Sequence, residues 1–346
     1  MSTSRAARRG LAIAVSACAA VVSAADSASA AYAPINHPGP ALTVPKAQLR
    51  AALRCTASEA SQAREPILLV PGTTLTPEVN FSWNYERALN ALGLPYCTVE
   101  LPNSAMSDIQ VAGEYVVYAL RRMSTFAGKK AARKVQIIGY SQGGMVPRWA
   151  LRFWPDTRKL VDDDVGLDAS NHGTITAEPS CSHEGCAPAV WQQRNTAAFI
   201  AALNSYQETF PGISYTEIYS QDDEIVVPNT NEEGSSSVHS GGGAIANIAV
   251  QEVCPGHVAE HLAMGSYDPV GYALALDAVT HPGTAEAARI ALTVCADPFQ
   301  PGVNPETFAS DYAHYVQVIV ETFATYPHSE SEPPLKCYVT ASCPKR

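Results

Sequence analysis

Lys134-Val135-Gln136-Ile137-Ile138-Gly139-Tyr140-Ser141-Gln142-Gly143-Gly144-Met145-Val146-Pro147-Arg148-Trp149-Ala150-Leu151 decides the reading of this chain. The first five residues make an apolar run suited to a buried strand, and the segment from Gly144 reads as a helix. Between them stands Gly139-x-Ser141-x-Gly143. A strand that turns into a helix through G-x-S-x-G is a nucleophile elbow. The turn is so tight that the serine takes a strained backbone conformation. Glycines two before and two after it leave room for neighbouring chain, and the hydroxyl stands clear of the sheet at a helix start. The pentapeptide alone carries little weight, since Gly and Ser are common; the flanking strand and helix give it meaning.

Outward from the elbow, strands and helices alternate. Pro66 to Val70 reads as a buried strand that ends at Pro71-Gly72-Thr73-Thr74, and helical patterning follows from Trp83 to Leu92. Cys97 to Leu101 is a second strand, and Ile109 to Phe126 carries Val111, Tyr115, Val116 and Leu120 at helical spacing. Beyond the elbow, Asp164 to Asp168, Tyr215 to Ser220 and Ala244 to Cys254 read as strands, and 269–279, 284–294 and 305–325 as helices. Central strands that are apolar throughout predict a mostly parallel sheet with helices on both faces. The fold class is α/β, an α/β-hydrolase fold in a single domain over 31–346. Residues 31–50 are expected to wrap the surface, 175–195 to form an irregular lid or cap, and 229–243 to form a flexible polar loop.

A chain of 346 residues can bury a large core. Its net charge of −10 argues against nucleic acid, which needs a basic face. Residues 1–30 read as a cleaved export signal: Arg5, Arg8 and Arg9, then apolar Leu11 to Val22, then Ala28-Ser29-Ala30. No later run is apolar enough for a membrane span, so the mature protein is expected to be soluble; with the signal it is expected to be secreted, and it is read as a monomer. Of nine cysteines, Cys18 lies in the signal and eight remain, an even set that implies disulfides in an exported protein. Sequence leaves their pairing open, although Cys337 with Cys343, in the tail 333–346, and Cys181 with Cys186 are close enough to close small loops.

A serine hydroxyl attacks a carbonyl only when a base takes its proton, and the base is usually a histidine held by a buried carboxylate. In this fold the chain order is serine, acid, histidine. Asp222, Asp223 and Glu224 follow one late strand, and His257 and His261 follow the last. His172 is expected at the pocket wall, and His37, His183, His239, His281, His314 and His328 on the surface. The oxyanion needs two preplaced donors: the Gln142 amide at the helix start and the Thr73 amide after the first strand.

Ile67 to Thr73, Ser141-Gln142-Gly143-Gly144, Val190-Trp191-Gln192-Gln193, and Tyr219-Ser220 with Asp223 to Val226 resemble the motifs of the Candida antarctica lipase B-like family of α/β-hydrolase lipases. The motifs stand in the family's order, from about residue 50 to the C-terminus. The resemblance implies Ser141 as nucleophile, Asp223 as acid, His261 as base, and Thr73 and Gln142 at the oxyanion, the threonine hydroxyl included. It implies acyl-ester hydrolysis without a cofactor or metal, on a lipid or other ester, including at an oil–water interface. It implies the pairs Cys55–Cys97, Cys254–Cys295 and Cys337–Cys343, with Cys181–Cys186 left as a fourth that the family lacks. The family has Trp before the nucleophile, where this chain has Tyr140, a position that lines the alcohol pocket.

Three rival readings compete. His257-Val258-Ala259-Glu260-His261 matches H-x-x-E-H, a zinc-peptidase signature that on one helix would align two histidines. Gly-Tyr-Ser-Gln-Gly is also a cutinase elbow, which points to short-chain esters or polyesters. A third class is a non-catalytic adhesin or an acyltransferase on the same scaffold; candidates for every triad role weigh against an inert scaffold, and transfer to an alcohol would use the same residues. Asp162-Asp163-Asp164 lacks a calcium loop and reads as a solvated turn.

Overall fold

Ile67–Val70 and Val135–Tyr140 carry apolar residues without alternation, so both of their faces must be covered. The structure, a computed structural model, describes residues 31–56, 64–126, 134–182 and 184–343. The export signal with Cys18, and His183, lie outside the described residues.

The strands are β1 Leu53–Cys55, β2 Ile67–Val70, β3 Tyr96–Val99, β4 Val135–Tyr140, β5 Val161–Leu167, β6 Ser214–Tyr219 and β7 Ala244–Ala249. They form one sheet in the order β1-β3-β2-β4-β5-β6-β7. Only β1 runs antiparallel, against β3; the remaining pairs are parallel. The helices that matter below are α1 Ile109–Met123, α2 Gln142–Phe153, α3 Pro188–Gln192, α4 His261–Met264, α5 Pro269–Thr280 and α6 Phe308–Thr325.

Strand alternation splits the core into two layers. Leu68, Val70, Val135 and Ile137 pack with α1 and α2. Ile67, Leu69, Ile138, Val165, Leu167 and Ile218 pack the other way, with α5 and Tyr315 of α6. The helices start where the sequence supplies acceptors for open amides. Asp108 accepts from Gln110 N at 3.0 Å at the start of α1. Asp268 does the same for Gly271 N at 2.6 Å at the start of α5, which opens with Pro269.

Four disulfides join Cys55–Cys97, Cys181–Cys186, Cys254–Cys295 and Cys337–Cys343. They tie β1 to β3, close the 181–186 loop, anchor the segment after β7 and close a small loop near the C-terminus. Among the described residues no helix is long and apolar enough to cross a membrane.

Several sequence expectations change. Asp162-Asp163-Asp164 is not a solvated turn but part of β5, with Asp163 and Asp164 buried. The sheet's interior position overrides the local preference of a charged run. Burial pushes both carboxyls up to about 7, so they take up protons well above the ordinary carboxylate range. Residues 31–50 hold the start of a helix, Lys46–Ala52, that leads into edge strand β1. The expected strand 244–254 stops at Ala249 and turns into the short helix Val250–Val253. The expected helix 284–294 is two 3₁₀ turns, Ala287–Arg289 and Leu292–Ala296. The polar loop 229–243 is partly core: Ser235, Ser236, Ser237 and Val238 are buried. Asn229, Asn171 and Asn247 satisfy that backbone.

Candidate active site

Each candidate side chain stands just beyond the C-terminal end of a parallel strand, where open α/β sheets gather their ligand sites. Ser141 follows β4, Asp168 follows β5, Asp223 lies beyond β6 and His261 beyond β7.

Ser141 has φ 55° and ψ −123°, a conformation that side chains resist at a cost of about 1–3 kcal/mol. Close packing holds it there. A Cβ on Gly139 would lie 2.1 Å from the Gly143 carbonyl oxygen, and one on Gly143 would lie 2.2 Å from that of Val70. Only glycine lets α2 start this near to β4 and to the loop after β2.

The serine Oγ is 3.1 Å from Nε2 of His261. The other ring nitrogen, Nδ1, is 2.9 Å from Oδ2 of Asp223. Oδ1 of Asp223 accepts from the amides of Ile225 and Val226, both at 2.8 Å. Of the three acids offered by the sequence, Asp223 is buried, whereas Asp222 is exposed and Glu224 accepts from the His261 amide at 3.1 Å. Burial lowers the His261 pKa, but Asp223, Glu224 and Glu260 outweigh it and leave the imidazole raised above its usual value.

His257 points elsewhere, with Nε2 2.5 Å from Asp268. The H-x-x-E-H stretch is not one helix: α4 begins at His261, and Glu260 caps it by accepting from Leu262 N at 2.7 Å. The two histidines therefore serve different partners. Among the described residues, the group spaced to hold a metal ion is Asp168, Asp223 and His261. Those are the same atoms that bind one another here.

Thr73 and Gln142 face each other beside Ser141. Thr73 Oγ1 accepts from Gln142 Nε2 and from Gln193 Nε2, each at 3.0 Å. A hydroxyl has two acceptor lobes and one donor. With both lobes taken, the Thr73 proton remains free to be donated. Gln142 Nε2 also donates to the Ala105 carbonyl at 2.9 Å.

Tyr140 is buried behind the histidine rather than open to a pocket. Its hydroxyl donates to the His261 carbonyl at 3.1 Å, and the two rings are 5.0 Å apart. His172 is held by Glu208 at 2.7 Å, beside the buried Arg148–Asn171 pair, and touches none of the residues above.

Two residues escaped the sequence reading. Asp168, at φ 43° and fully buried, lies with Oδ2 3.8 Å from His261 Nδ1, while its Oδ1 accepts from Ser220 N at 2.8 Å. Burial and the neighbouring Asp223 hold its carboxyl well above the ordinary range. Gln193 follows α3 and fixes the Thr73 hydroxyl. Its sequence signal was only membership in a Gln-Gln motif.

An apolar cavity of about 520 Å³ includes none of these residues in its lining but is walled by their chain neighbours. Ile225, two residues from Asp223, and Met106, next to Ala105, lie on its wall. Ile319, Val320, Phe323 and Ala324 of α6 form the opposite side. A polar cleft of about 580 Å³, lined by Arg54, Glu78, Glu86 and Glu100, lies at the β1 edge and includes none of the site residues.

Residues 102–251 match the family model for lipase (class 2). The curated lipase B of Pseudozyma antarctica is 34% identical over 223 residues. That match covers 64% of this chain and 64% of the relative, less than two thirds of its length. The crystal structure of Aspergillus fumigatus lipase B superposes with a TM-score of 0.78 at 29% identity, over 88% of this chain and 75% of that one.

Over these stretches the chain is similar to lipase B-type α/β-hydrolases. For this lipase B-like chain the fold class expected from the elbow, α/β-hydrolase, stands.

Proposed function

We propose that the protein is a carboxylic ester hydrolase of lipase or esterase type, acting through Ser141, His261 and Asp223. The observation that carries this is the strained Ser141 with its Oγ 3.1 Å from His261 Nε2. The names of both relatives, each a lipase B, favour the same reading.

In the first step Ser141 Oγ bonds to the ester carbonyl carbon while His261 takes the serine proton. Asp223 stabilises the imidazolium. The amides of Thr73 and Gln142 and the Thr73 hydroxyl hold the oxyanion. The carbon–oxygen bond to the alcohol then breaks, and the alcohol leaves with the proton from His261. Water repeats the sequence on the acyl-serine and releases the acid. These steps need no metal or other cofactor. The apolar cavity suits an acyl chain, so the substrate is a lipid or other acyl ester. The N-terminal signal pattern and four disulfides favour export of a monomer to the extracellular side.

The test is initial rates on p-nitrophenyl esters from acetate to palmitate, with and without EDTA. Ser141→Ala should abolish turnover, and EDTA should leave the parent unchanged. Asp223→Asn should lose roughly 10⁴-fold in kcat, as expected when the histidine tautomer is wrong, and Asp222→Asn should stay near the parent. Equal losses at both aspartates would move the acid. Activity that survives Ser141→Ala and dies with EDTA would favour the zinc reading. A preference for the shortest esters would favour the cutinase-like alternative over a lipase.

A further inference from the structure

The segment 175–195, expected as a lid, is fastened where it borders the apolar cavity. Cys181 and Cys186 close a loop with a sequence separation of 5. Cys186 N donates to the Ser329 carbonyl at 3.2 Å, and Ser329 N donates back to the Cys186 carbonyl at 2.8 Å. This is a two-residue antiparallel bridge between the loop and the segment after α6. Trp191 Nε1 donates to the same Ser329 carbonyl at 2.9 Å. Gly185 has φ 71°, and a Cβ there would lie 2.1 Å from that oxygen, so the close approach is written into the sequence.

Ser180, Cys186 and Ala187 form one wall of the cavity, and Ile319, Val320, Phe323 and Ala324 form the facing one. The bridge ties the first wall to the segment that follows the second, and the disulfide fixes the shape of the loop that carries the bridge. Loop closure of so few residues constrains the unfolded chain least among disulfides. The bond's consequence therefore lies in wall position.

We propose that the Cys181–Cys186 disulfide is a specificity-determining element: it holds the Ser180–Ala187 wall against α6 and sets the upper length of acyl chain the cavity accepts. This rests on the ester-hydrolase reading. Freed of the bond, the wall yields and longer chains enter.

The experiment compares Cys181→Ala/Cys186→Ala with Cys337→Ala/Cys343→Ala, whose loop has a sequence separation of 6. The two pairs close loops of nearly equal size, so a general loss of stability should affect both alike. The readout is kcat/KM for p-nitrophenyl palmitate over that for the butyrate. The first pair should raise this ratio by ~10-fold, the scale set by about one methylene in an apolar pocket, and the second should leave it unchanged. An unchanged ratio in the first pair, or an equal shift in both, overturns the proposal. If the first pair does not fold, Trp191→Phe loosens the same bridge without touching a cysteine, and it should shift the ratio in the same direction; no shift there overturns the proposal as well. A parent that hydrolyses no ester would instead sink the functional reading on which this one rests.

Discussion

Two carboxyl groups approach the same ring nitrogen of His261, and only one can carry the charge that orients it. Asp223 is 2.9 Å away and receives two backbone amides, which stabilise an anion. Asp168 is 3.8 Å away with Oδ2 in the core, where burial and the adjacent anion keep it protonated. An amide at this position keeps an acceptor for the Ser220 amide without placing a second charge beside Asp223. Asp168→Asn should therefore keep kcat/KM within a few-fold, whereas Asp168→Ala, which leaves the buried Ser220 amide without its acceptor, should lose ~10-fold or more. A collapse in Asp168→Asn comparable to that of Asp223→Asn would show the charge assignment to be reversed. The histidine makes a second prediction at this scale. It must be neutral to accept the serine proton, and its pKa is raised. The acid limb of kcat/KM against pH should then fall above about 6.5, the ordinary histidine value. A limb centred below that value would mean that burial, not the carboxylates, governs the ring.

At the scale of elements, the elbow works because α2 starts almost in contact with the loop that carries Thr73. Gly143 makes that approach: its missing Cβ would meet the carbonyl oxygens of Val70 at 2.2 Å and Pro71 at 2.5 Å. Gly143→Ala must push these segments apart and carry the Thr73 and Gln142 amides with them. It should lower kcat by about 10²-fold, the scale for losing one oxyanion donor, while stability falls by only about 1–3 kcal/mol. Stopped-flow rates beside urea unfolding would check the split; an unfolded protein, or full activity, would contradict it. Such elements were legible in the sequence because β2 and β4 are continuous apolar runs and the glycine spacing of the turn is local. Three features were not legible, for one shared reason. The Asp162-Asp163-Asp164 run looks like a turn in isolation, yet β5 lies between β4 and β6 and buries Asp163 and Asp164, leaving only Asp162 partly open. Ser235 to Ser237 look like a flexible linker until Asn171 and Asn229 supply their partners. Asp168 gives no signal because its role depends on a histidine 93 positions later in the chain (261 − 168). In each case distant chain decides the environment, and local propensity is overridden.

For the whole molecule, the buried acids tie stability to pH. Asp163 and Asp164 are raised to about 7 and Glu217 to about 8, in each case by burial first. Asp164 and Glu217 lie on neighbouring strands near Arg148, and both Asp164 oxygens and Glu217 Oε2 lack hydrogen-bond partners among the described residues. In the unfolded chain these groups titrate near their ordinary values of about 4. A raised folded pKa means that the folded state binds more protons, so the stabilisation is fully present below about pH 4 and is lost as pH rises through 7 and 8. His257 and His261, also raised, act in the same direction. Glu208 and Asp277 have the opposite sign, but their lowered values place that loss on acidification below the ordinary carboxylate range. Between about pH 5 and pH 8 the net slope is therefore downward, on the order of a few kcal/mol in all. Urea midpoints should fall across that interval, and Glu217→Gln should flatten the fall by removing one titrating group. Stability that is level or rising to pH 8 would mean that these carboxyls ionise in the folded state without penalty. Activity needs a neutral His261 and so gains with rising pH, while the same rise charges the core beneath it. The two slopes cross near neutrality, and Glu217→Gln should extend the alkaline edge of the working range without moving the acid limb.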